Sequence, residues 1–188
     1  MEAFFVSALV VAIGEIGDKT QLLALILAAR FRRPVPIILG ILVATLFNHG
    51  LAGLLGGWIR EAISPEVLRW GLGLSFLAIA AWALKPDEID DKPVAMSSYG
   101  AFGVTLVAFF LAEIGDKTQL ATVALAARFD SLVAVVAGTT VGMLLADVPA
   151  VFLSDRASTK IPFKAIRMIA AALFAAMGVA VLAGFRFG

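Results

Sequence analysis

The chain alternates between long apolar runs and short polar breaks. Six runs are separated by clusters of Arg, Lys, Asp, Ser and Pro, which are typical of helix ends and loops. A helix needs about 20 residues to cross the roughly 30 Å hydrocarbon layer of a membrane, so each run predicts one spanning helix. The predicted spans are residues 3–29, 35–58, 67–84, 101–127, 132–153 and 164–185.

The composition indicates the same class of protein. Hydrophobic residues make up 61% and charged residues 15% of the 188 residues, against about 45–50% and about 25% in soluble domains. So small a globule could not bury this much apolar surface. We therefore expect an all-α integral membrane protein with six transmembrane helices in contact with lipid. The first run follows no basic segment and contains charged residues, so we expect a spanning helix and not a cleaved signal peptide.

One seven-residue motif occurs twice. Glu-Ile-Gly-Asp-Lys-Thr-Gln occupies residues 15–21 and again residues 113–119, and a shift of 98 positions also aligns Ala-Ala-Arg-Phe at 28–31 with 126–129. Each half holds three predicted spans, and this odd number makes the second half enter the membrane from the opposite side. We predict two inverted three-helix repeats, residues 1–85 and 99–188, joined by a linker at 86–98 into one transport domain.

Lys and Arg near the span ends predict the orientation, because they concentrate on the cytoplasmic side. The N-terminus, the loops at 59–66 and 128–131 and the C-terminus share a face with four of them: Arg60, Arg69, Arg128 and Arg186. The opposite face holds nine: Arg30, Arg32, Arg33, Lys85, Lys92, Arg156, Lys160, Lys164 and Arg167. The tally predicts a cytoplasmic linker and both termini outside.

The motifs place charge deep in the predicted membrane. Glu15 lies about 18 Å into the first span at 1.5 Å per residue, and Glu113 has the same depth in the fourth. Each such charge costs about 2.5–3.5 kcal/mol on insertion scales, so these groups must face inward and pair, or stay neutral until a cation arrives. On a continuous helix Asp18 shares a face with Glu15, and Asp116 shares one with Glu113. We expect the four carboxylates to meet near the bilayer midplane.

A structural alternative is an ion pair within each motif, Glu15 with Lys19 and Glu113 with Lys117. This pairing within each motif does not explain why Asp18 and Asp116 are present. The lysines could also occupy the carboxylates as resident cations, or turn towards a helix end.

Carboxylates with the amides of Gln21 and Gln119 form an oxygen-rich site, which suits Ca²⁺, Mn²⁺ or Mg²⁺. The alternative for the two amides is interhelical hydrogen bonding. The single His and the absence of Cys argue against copper or zinc. Burial and mutual repulsion favour protonated acids without metal, so a dication must displace protons, as in an exchanger. Expelling a dication against 100 mV costs about 4.6 kcal/mol, which returning protons can offset. The net charge of +1 gives no electrostatic argument for nucleic acid.

Polar residues in the second and fifth spans predict a further layer around the site. Asn48 could supply a carbonyl oxygen, Asp147 a carboxylate and His49 a titrating group, and the 98-residue shift places the last two at equivalent depths. The alternative for His49 is a hydrogen bond to a neighbouring helix.

Two further pairs of motif residues have structural alternatives. Thr20 and Thr118 point about 140° from the glutamates on an ideal helix, which favours backbone capping unless the helix is distorted there. Gly17 and Gly115 allow either local unwinding or close packing.

The doubled E-x-G-D-K-[TS] motif resembles the family of Golgi and thylakoid cation/proton exchangers and bacterial manganese exporters, over essentially the whole chain. The resemblance implies Mn²⁺ and/or Ca²⁺ as transported substrates, H⁺ as the counter-transported ion and no permanent cofactor. The compact chain is most similar to the bacterial members, which implies manganese export across a bacterial plasma membrane. It assigns cation binding to Glu15, Asp18, Glu113 and Asp116. One departure is Asp147, in LADVP at 145–149, where the family pattern leads us to expect Asn; it adds a carboxylate.

Two other classes compete with this interpretation. An exporter of amino acids or organic cations is disfavoured because the motif lacks aromatic residues. An intramembrane aspartyl protease is disfavoured because Glu15 and Glu113 replace the first Gly of its Gly-x-Gly-Asp signature, and no Ser-His arrangement or HExxH motif suggests another enzyme. Nothing in the sequence indicates an oligomeric state.

Overall fold

The computed structural model describes residues 1–85, 100–153 and 163–185, and these residues contain eight α-helices and no strand. The helices are α1 (Glu2–Glu15), α2 (Lys19–Phe31), α3 (Pro34–Ala62), α4 (Pro65–Ala83), α5 (Gly100–Glu113), α6 (Lys117–Arg128), α7 (Leu132–Leu153) and α8 (Phe163–Leu182). Three of them, α3, α4 and α7, are long and apolar enough to cross a membrane. The all-helical prediction is confirmed for these ranges. The predicted linker at 86–98 and the basic residues Lys92, Arg156, Lys160 and Arg186 lie outside them.

The first and fourth predicted spans are not continuous helices, and in this the sequence prediction is wrong. The run at 3–29 divides into α1 and α2, and the run at 101–127 divides into α5 and α6. Each division contains a glycine with positive φ, Gly17 at 84° and Gly115 at 76°. Side chains other than hydrogen are strained in this left-handed region. The glycines therefore break the helices in the middle of the motif.

Helix α1 packs along α7, and the two helices run in the same direction. A Cβ atom built on Gly138 would overlap the carbonyl oxygen of Phe4, and one on Gly142 would lie 2.5 Å from the oxygen of Ala8. Small residues allow this close approach of two backbones. Glycine is thus required at both α7 positions by packing.

Helices α3 and α5 make the equivalent contact in the other half. A Cβ atom on Gly40 would lie 2.9 Å from the oxygen of Phe102, and eight residues further along, Asn48 Nδ2 donates to the oxygen of Phe110 at 3.1 Å. These two helices therefore also run in the same direction. Under the 98-residue shift, the α3–α5 pair corresponds to the α7–α1 pair.

The remaining pair, α4 and α8, packs beside this arrangement in opposite directions. Gly73, near the middle of α4, lies against Gly178 and Leu182 in the last two turns of α8. Phe76 and Phe174 stack between the two helices with their ring centroids 6.5 Å apart, and both are buried. The two motifs are therefore surrounded by α3, α7 and the two broken helices, α1–α2 and α5–α6.

We predict that Gly138→Val lowers the free energy of unfolding by about 1–3 kcal/mol, because the new side chain would force α1 away from α7. Gly50→Val is the matched control, since it makes the same change within a helix but a Cβ atom there meets nothing within 4 Å. Thermal unfolding in detergent would measure both. Equal destabilisation by the two variants would contradict the packing argument.

Candidate cation site

The first helix break is held by hydrogen bonds within the motif. The N–H of Asp18 donates to the oxygen of Glu15 at 3.0 Å, and Gln21 Oε1 accepts the N–H of Gly17 at 2.9 Å. Asp18 is the N-cap of α2, and its Oδ1 lies 2.7 Å from the N–H of Lys19. Motif side chains therefore accept hydrogen bonds from the N–H groups of Gly17 and Lys19, on either side of the N-cap residue.

The second break repeats this local structure. The N–H of Asp116 donates to the oxygen of Glu113 at 3.0 Å, and Gln119 Oε1 accepts the N–H of Gly115 at 2.8 Å. Asp116 is the N-cap of α6. Identical sequences thus form similar breaks, which differ in that Asp18 accepts the N–H of Lys19 whereas Asp116 makes no side-chain cap bond. Both glutamines act as caps here, which differs from the predicted ligand role for their oxygens.

The two motifs meet through a reciprocal pair of ion pairs. Lys19 Nζ lies 2.9 Å from Asp116 Oδ1, and Lys117 Nζ lies 2.9 Å from Asp18 Oδ1. The lysine of each motif therefore contacts the aspartate of the other. Lys19 does not form the pair with Glu15 that a continuous helix would favour. Both aspartates are almost completely buried.

Three carboxylates converge closely enough to share one cation. Oxygens of Glu15, Asp18 and Asp116 all lie within 4.8 Å of one another. Two ligands on opposite sides of a cation bound at about 2.4 Å are also about 4.8 Å apart. Glu113 is outside this trio but within electrostatic reach of Glu15 and Asp116. Its Oε2 lies 3.7 Å from Nε2 of the buried His49.

The threonines of the motif point towards the acids. Thr20 Oγ1 donates a hydrogen bond to Glu15 Oε2, and Thr118 Oγ1 lies 3.3 Å from Asp116 Oδ2. The expected angle of about 140° between Thr20 and Glu15 applies to an unbroken helix, and the break at Gly17 removes it. The helix is distorted at the break, which was the stated exception to backbone capping, and Thr20 contacts Glu15 instead.

Helices α3 and α7 add a second layer of buried polar groups. Asp147 is completely buried and within electrostatic reach of Glu15 and Glu113. On α3, Asn48 uses its amide nitrogen in the bond to Phe110, which leaves its Oδ1 directed elsewhere. Gln21 Nε2 donates to the oxygen of Ala146 at 3.0 Å, which ties α2 to α7 beside Asp147.

Many oxygens of this cluster have no hydrogen-bond donor among the described residues. They are Glu15 Oε1, both oxygens of Glu113, both oxygens of Asp147, and Asn48 Oδ1. Buried oxygen atoms of this kind are costly unless a proton, a water molecule or a cation satisfies them. Their chemistry fits a hard divalent cation such as Mn²⁺ or Ca²⁺.

A family model described as divalent cation/proton antiporter GDT1 matches residues 3–91 and 101–186, almost the whole chain. The chain belongs to this family. The GDT1 family is one of transporters, which agrees with the predictions of an antiporter and of a protein that is not an enzyme.

Similar proteins of the GDT1 family are found in bacteria and plants. A Vibrio cholerae protein named "Putative manganese exporter" is 48% identical over 96% of this chain and 90% of its own length. A GDT1-like protein of Synechocystis is 28% identical, covering 93% of both chains. GDT1-like protein 3 of Oryza sativa subsp. indica is 28% identical over 95% of this chain and 72% of its own. No solved structure matches the chain.

We predict strong energetic coupling between Lys19 and Asp116 in a double-mutant cycle. Lys19→Gln alone leaves a buried carboxylate without its ammonium, which costs about 3–5 kcal/mol, and adding Asp116→Asn recovers about 1–3 kcal/mol of it. Chemical unfolding in detergent would measure each variant. A parallel cycle with Glu15→Gln in place of Asp116→Asn should show a smaller coupling free energy. A larger coupling of Lys19 with Glu15 than with Asp116 would contradict the cross-pairing.

Proposed function

We propose that this protein exports Mn²⁺ from the cytoplasm in exchange for protons, through the site where the two motifs meet. The observation that carries the proposal is the reciprocal pairing of Lys19 with Asp116 and of Lys117 with Asp18, beside three carboxylates within reach of one cation. Family membership supports divalent cation/proton exchange, and the Vibrio cholerae relative supports manganese. Ca²⁺ is the second candidate, because the same oxygens suit it.

The charge balance of the site supports the exchange of one dication for two protons. The motifs contribute four carboxylates, those of Glu15, Asp18, Glu113 and Asp116, and two lysine ammonium groups. With all four acids ionised, two negative charges remain, which either one dication or two protons neutralise. A neutral site avoids much of the cost of buried charge in a low dielectric. Asp147 adds a further carboxyl group, which we assign to proton binding.

The lysines act in this proposal as internal substitutes for the cation. Without metal, Lys19 and Lys117 neutralise the aspartates across the interface. An arriving dication competes with the ammonium groups for the same oxygens, so the cross-pairs open as metal binds. The freed halves rock about the site and expose it to the other side, where protons displace the metal and the cross-pairs form again.

We further propose that the chain crosses the membrane six times, as two inverted three-helix repeats of residues 1–85 and 99–188. Each broken helix, α1–α2 or α5–α6, counts as one crossing. The parallel directions of α1 with α7 and of α3 with α5 support this arrangement, because the two pairs exchange under the 98-residue shift. Broken helices that meet at the midplane are common in transporters with such repeats.

Contacts at one end of the bundle support the predicted shared face. Arg60 Nη1, at the end of α3, donates to the oxygen of Phe129 at 2.7 Å and to Asp130 Oδ1 at 2.9 Å. Arg128 Nη2 donates to the oxygen of Phe185, after α8, at 3.2 Å. We place this face and both termini outside the cell, because the opposite face carries more Lys and Arg.

Glu15→Gln and Asp116→Asn should each abolish manganese-driven proton movement in proteoliposomes, because each removes a charge that both the metal and the protons use. Asp130→Asn is the control, since this carboxylate is 98% exposed and distant from the motifs. A pH-sensitive dye inside the vesicles would report exchange. Wild-type exchange in either site variant would refute the assignment, and competition by arginine or lysine would favour an organic-cation exporter.

Single cysteines should report the orientation, because the chain contains none of its own. We expect Ser131→Cys, in the exposed α6–α7 loop, to react with a membrane-impermeant maleimide on intact cells. Ser97→Cys, in the predicted linker, should react only in inverted vesicles. The opposite pattern would reverse the proposed direction of the chain, and labelling of both from one side would refute it.

A further inference from the structure

The two motif glutamates have different positions at the candidate site. Oxygens of Glu15, Asp18 and Asp116 lie within 4.8 Å of one another, and Glu113 does not belong to this trio. Instead, Glu113 Oε2 lies 3.7 Å from Nε2 of the buried His49 on α3. Glu15 Oε1 and both oxygens of Glu113 are buried without a hydrogen-bond partner among the described residues. The two identical motifs therefore contribute unequally to the site in this conformation.

The 98-residue shift relates this trio to a second one. It carries Glu15 to Glu113 and exchanges Asp18 with Asp116. The equivalent trio therefore consists of Glu113 and the same two aspartates. Inverted repeats move between two conformations by rocking against each other, and each conformation opens the site to one side. The glutamate is thus the one carboxylate of the trio that would change when the halves exchange their arrangements.

Helix packing indicates which side of the site is closed here. A Cβ atom on Gly56 of α3 would overlap the carbonyl oxygen of Val123 and lie 2.9 Å from the nitrogen of Ala127, so α3 lies against the backbone of α6. Over the described residues, the equivalent helices α7 and α2 pack less closely, and α4 covers α6 whereas α8 makes no comparable contact with α2. The side chain of Lys117 is 4% exposed and that of Lys19 is 28% exposed. The site is therefore closed beside α6 and more open beside α2.

The directions of α2 and α6 relate this opening to the two faces of the membrane. Helix α2 runs from the first motif to the face of Arg30, which we place in the cytoplasm, and α6 runs from the second motif to the face of Arg128, which we place outside. The present conformation is therefore the one that faces the cytoplasm, from which the proposed substrate enters. Glu15 belongs to the trio of this loading conformation.

We propose that Asp18 and Asp116 bind the dication in both conformations while the third carboxylate changes from Glu15 to Glu113. This inference rests on the exchange function proposed above. Glu15 completes the site while it faces the cytoplasm, and Glu113 completes it while it faces outward. The cation keeps two charged ligands as the halves rock, which limits the cost of holding it in a low dielectric. The change of glutamate passes the cation from the first motif to the second.

The Mn²⁺ affinity of the purified full chain in detergent tests whether the glutamates bind in turn. Since either glutamate can complete a trio, at least one of Glu15→Gln and Glu113→Gln should bind Mn²⁺ within about twofold of wild type. The double variant should lose at least about tenfold, because a charged ligand is then missing from both conformations. Asp18→Asn is the control, and it should lose as much by itself.

Losses of more than about threefold in both single variants would overturn the proposal, because a fixed site that uses both glutamates at once would give them. Wild-type affinity in Asp18→Asn would overturn it as well, since this aspartate would then not belong to both trios. Absence of Mn²⁺ binding by the wild-type chain would instead refute the proposed function itself.

Transport measured from each face tests the order in which the glutamates act. Inverted vesicles present Mn²⁺ to the cytoplasmic face, and right-side-out vesicles present it to the outer face. Glu15→Asp keeps the charge but shortens the side chain, so it should raise the half-saturating Mn²⁺ concentration about tenfold in inverted vesicles and less than about twofold in right-side-out vesicles. Glu113→Asp should show the reverse. Asp18→Glu, the matched control, should raise it equally at both faces.

Equal effects of each glutamate variant at the two faces would overturn the proposal and leave manganese/proton exchange intact. A larger effect of Glu15→Asp at the outer face would overturn the order of the two glutamates. Absence of Mn²⁺ transport by the wild-type chain would refute the proposed function.

Discussion

Charge inside a hydrocarbon layer requires a partner, and in this protein each half of the chain holds the partner that the other half needs. Lys19 reaches Asp116 and Lys117 reaches Asp18, so neither motif is neutralised within its own half. Breaking one such buried pair costs about 3–5 kcal/mol, which is a large fraction of the stability of a typical domain. The cross-pairs therefore require the two motifs to face each other, and the contacts of α1 with α7 and of α3 with α5 hold the surrounding helices around them.

Breaking the helices inside the motif creates a polar centre in which motif side chains accept hydrogen bonds from backbone N–H groups at both breaks. The starts of α2 and α6 carry partial positive charge, which favours the N-cap carboxylates Asp18 and Asp116. The ends of α1 and α5 carry partial negative charge beside Glu15 and Glu113, which favours a cation. Water does not reach most of the hydrocarbon layer, so the glutamine side chains supply the bonds that solvent would supply elsewhere. The broken backbone is thus part of the electrostatic design of the site.

The sequence alone predicted the helical class, the family, and the meeting of the two motifs, because buried charge and an identical repeat are visible in a single chain. The breaks at Gly17 and Gly115 were less predictable, since glycine in a membrane helix more often serves close packing, as it does at Gly138. The contact of Thr20 with Glu15 follows from the break, because an unbroken helix would point the two side chains apart. A glycine between two acids and followed by a helix N-cap pattern was the available signal. The exchange of lysine partners depends on tertiary structure, which no spacing within one motif reveals.

The two lysines differ in exposure although their motifs are identical. The side chain of Lys19 is 28% exposed and that of Lys117 is 4% exposed. Seven identical residues cannot cause this difference themselves, so it arises from the non-identical helices around them, including His49 in one half and Asp147 in the other. In a conformation where Lys117 is the more exposed lysine and Lys19 the more buried one, each motif would make the contacts that the other makes here. Its free energy would differ from that of the present conformation only through those flanking residues, so the differences between α3 and α7 set the energy gap between the two arrangements.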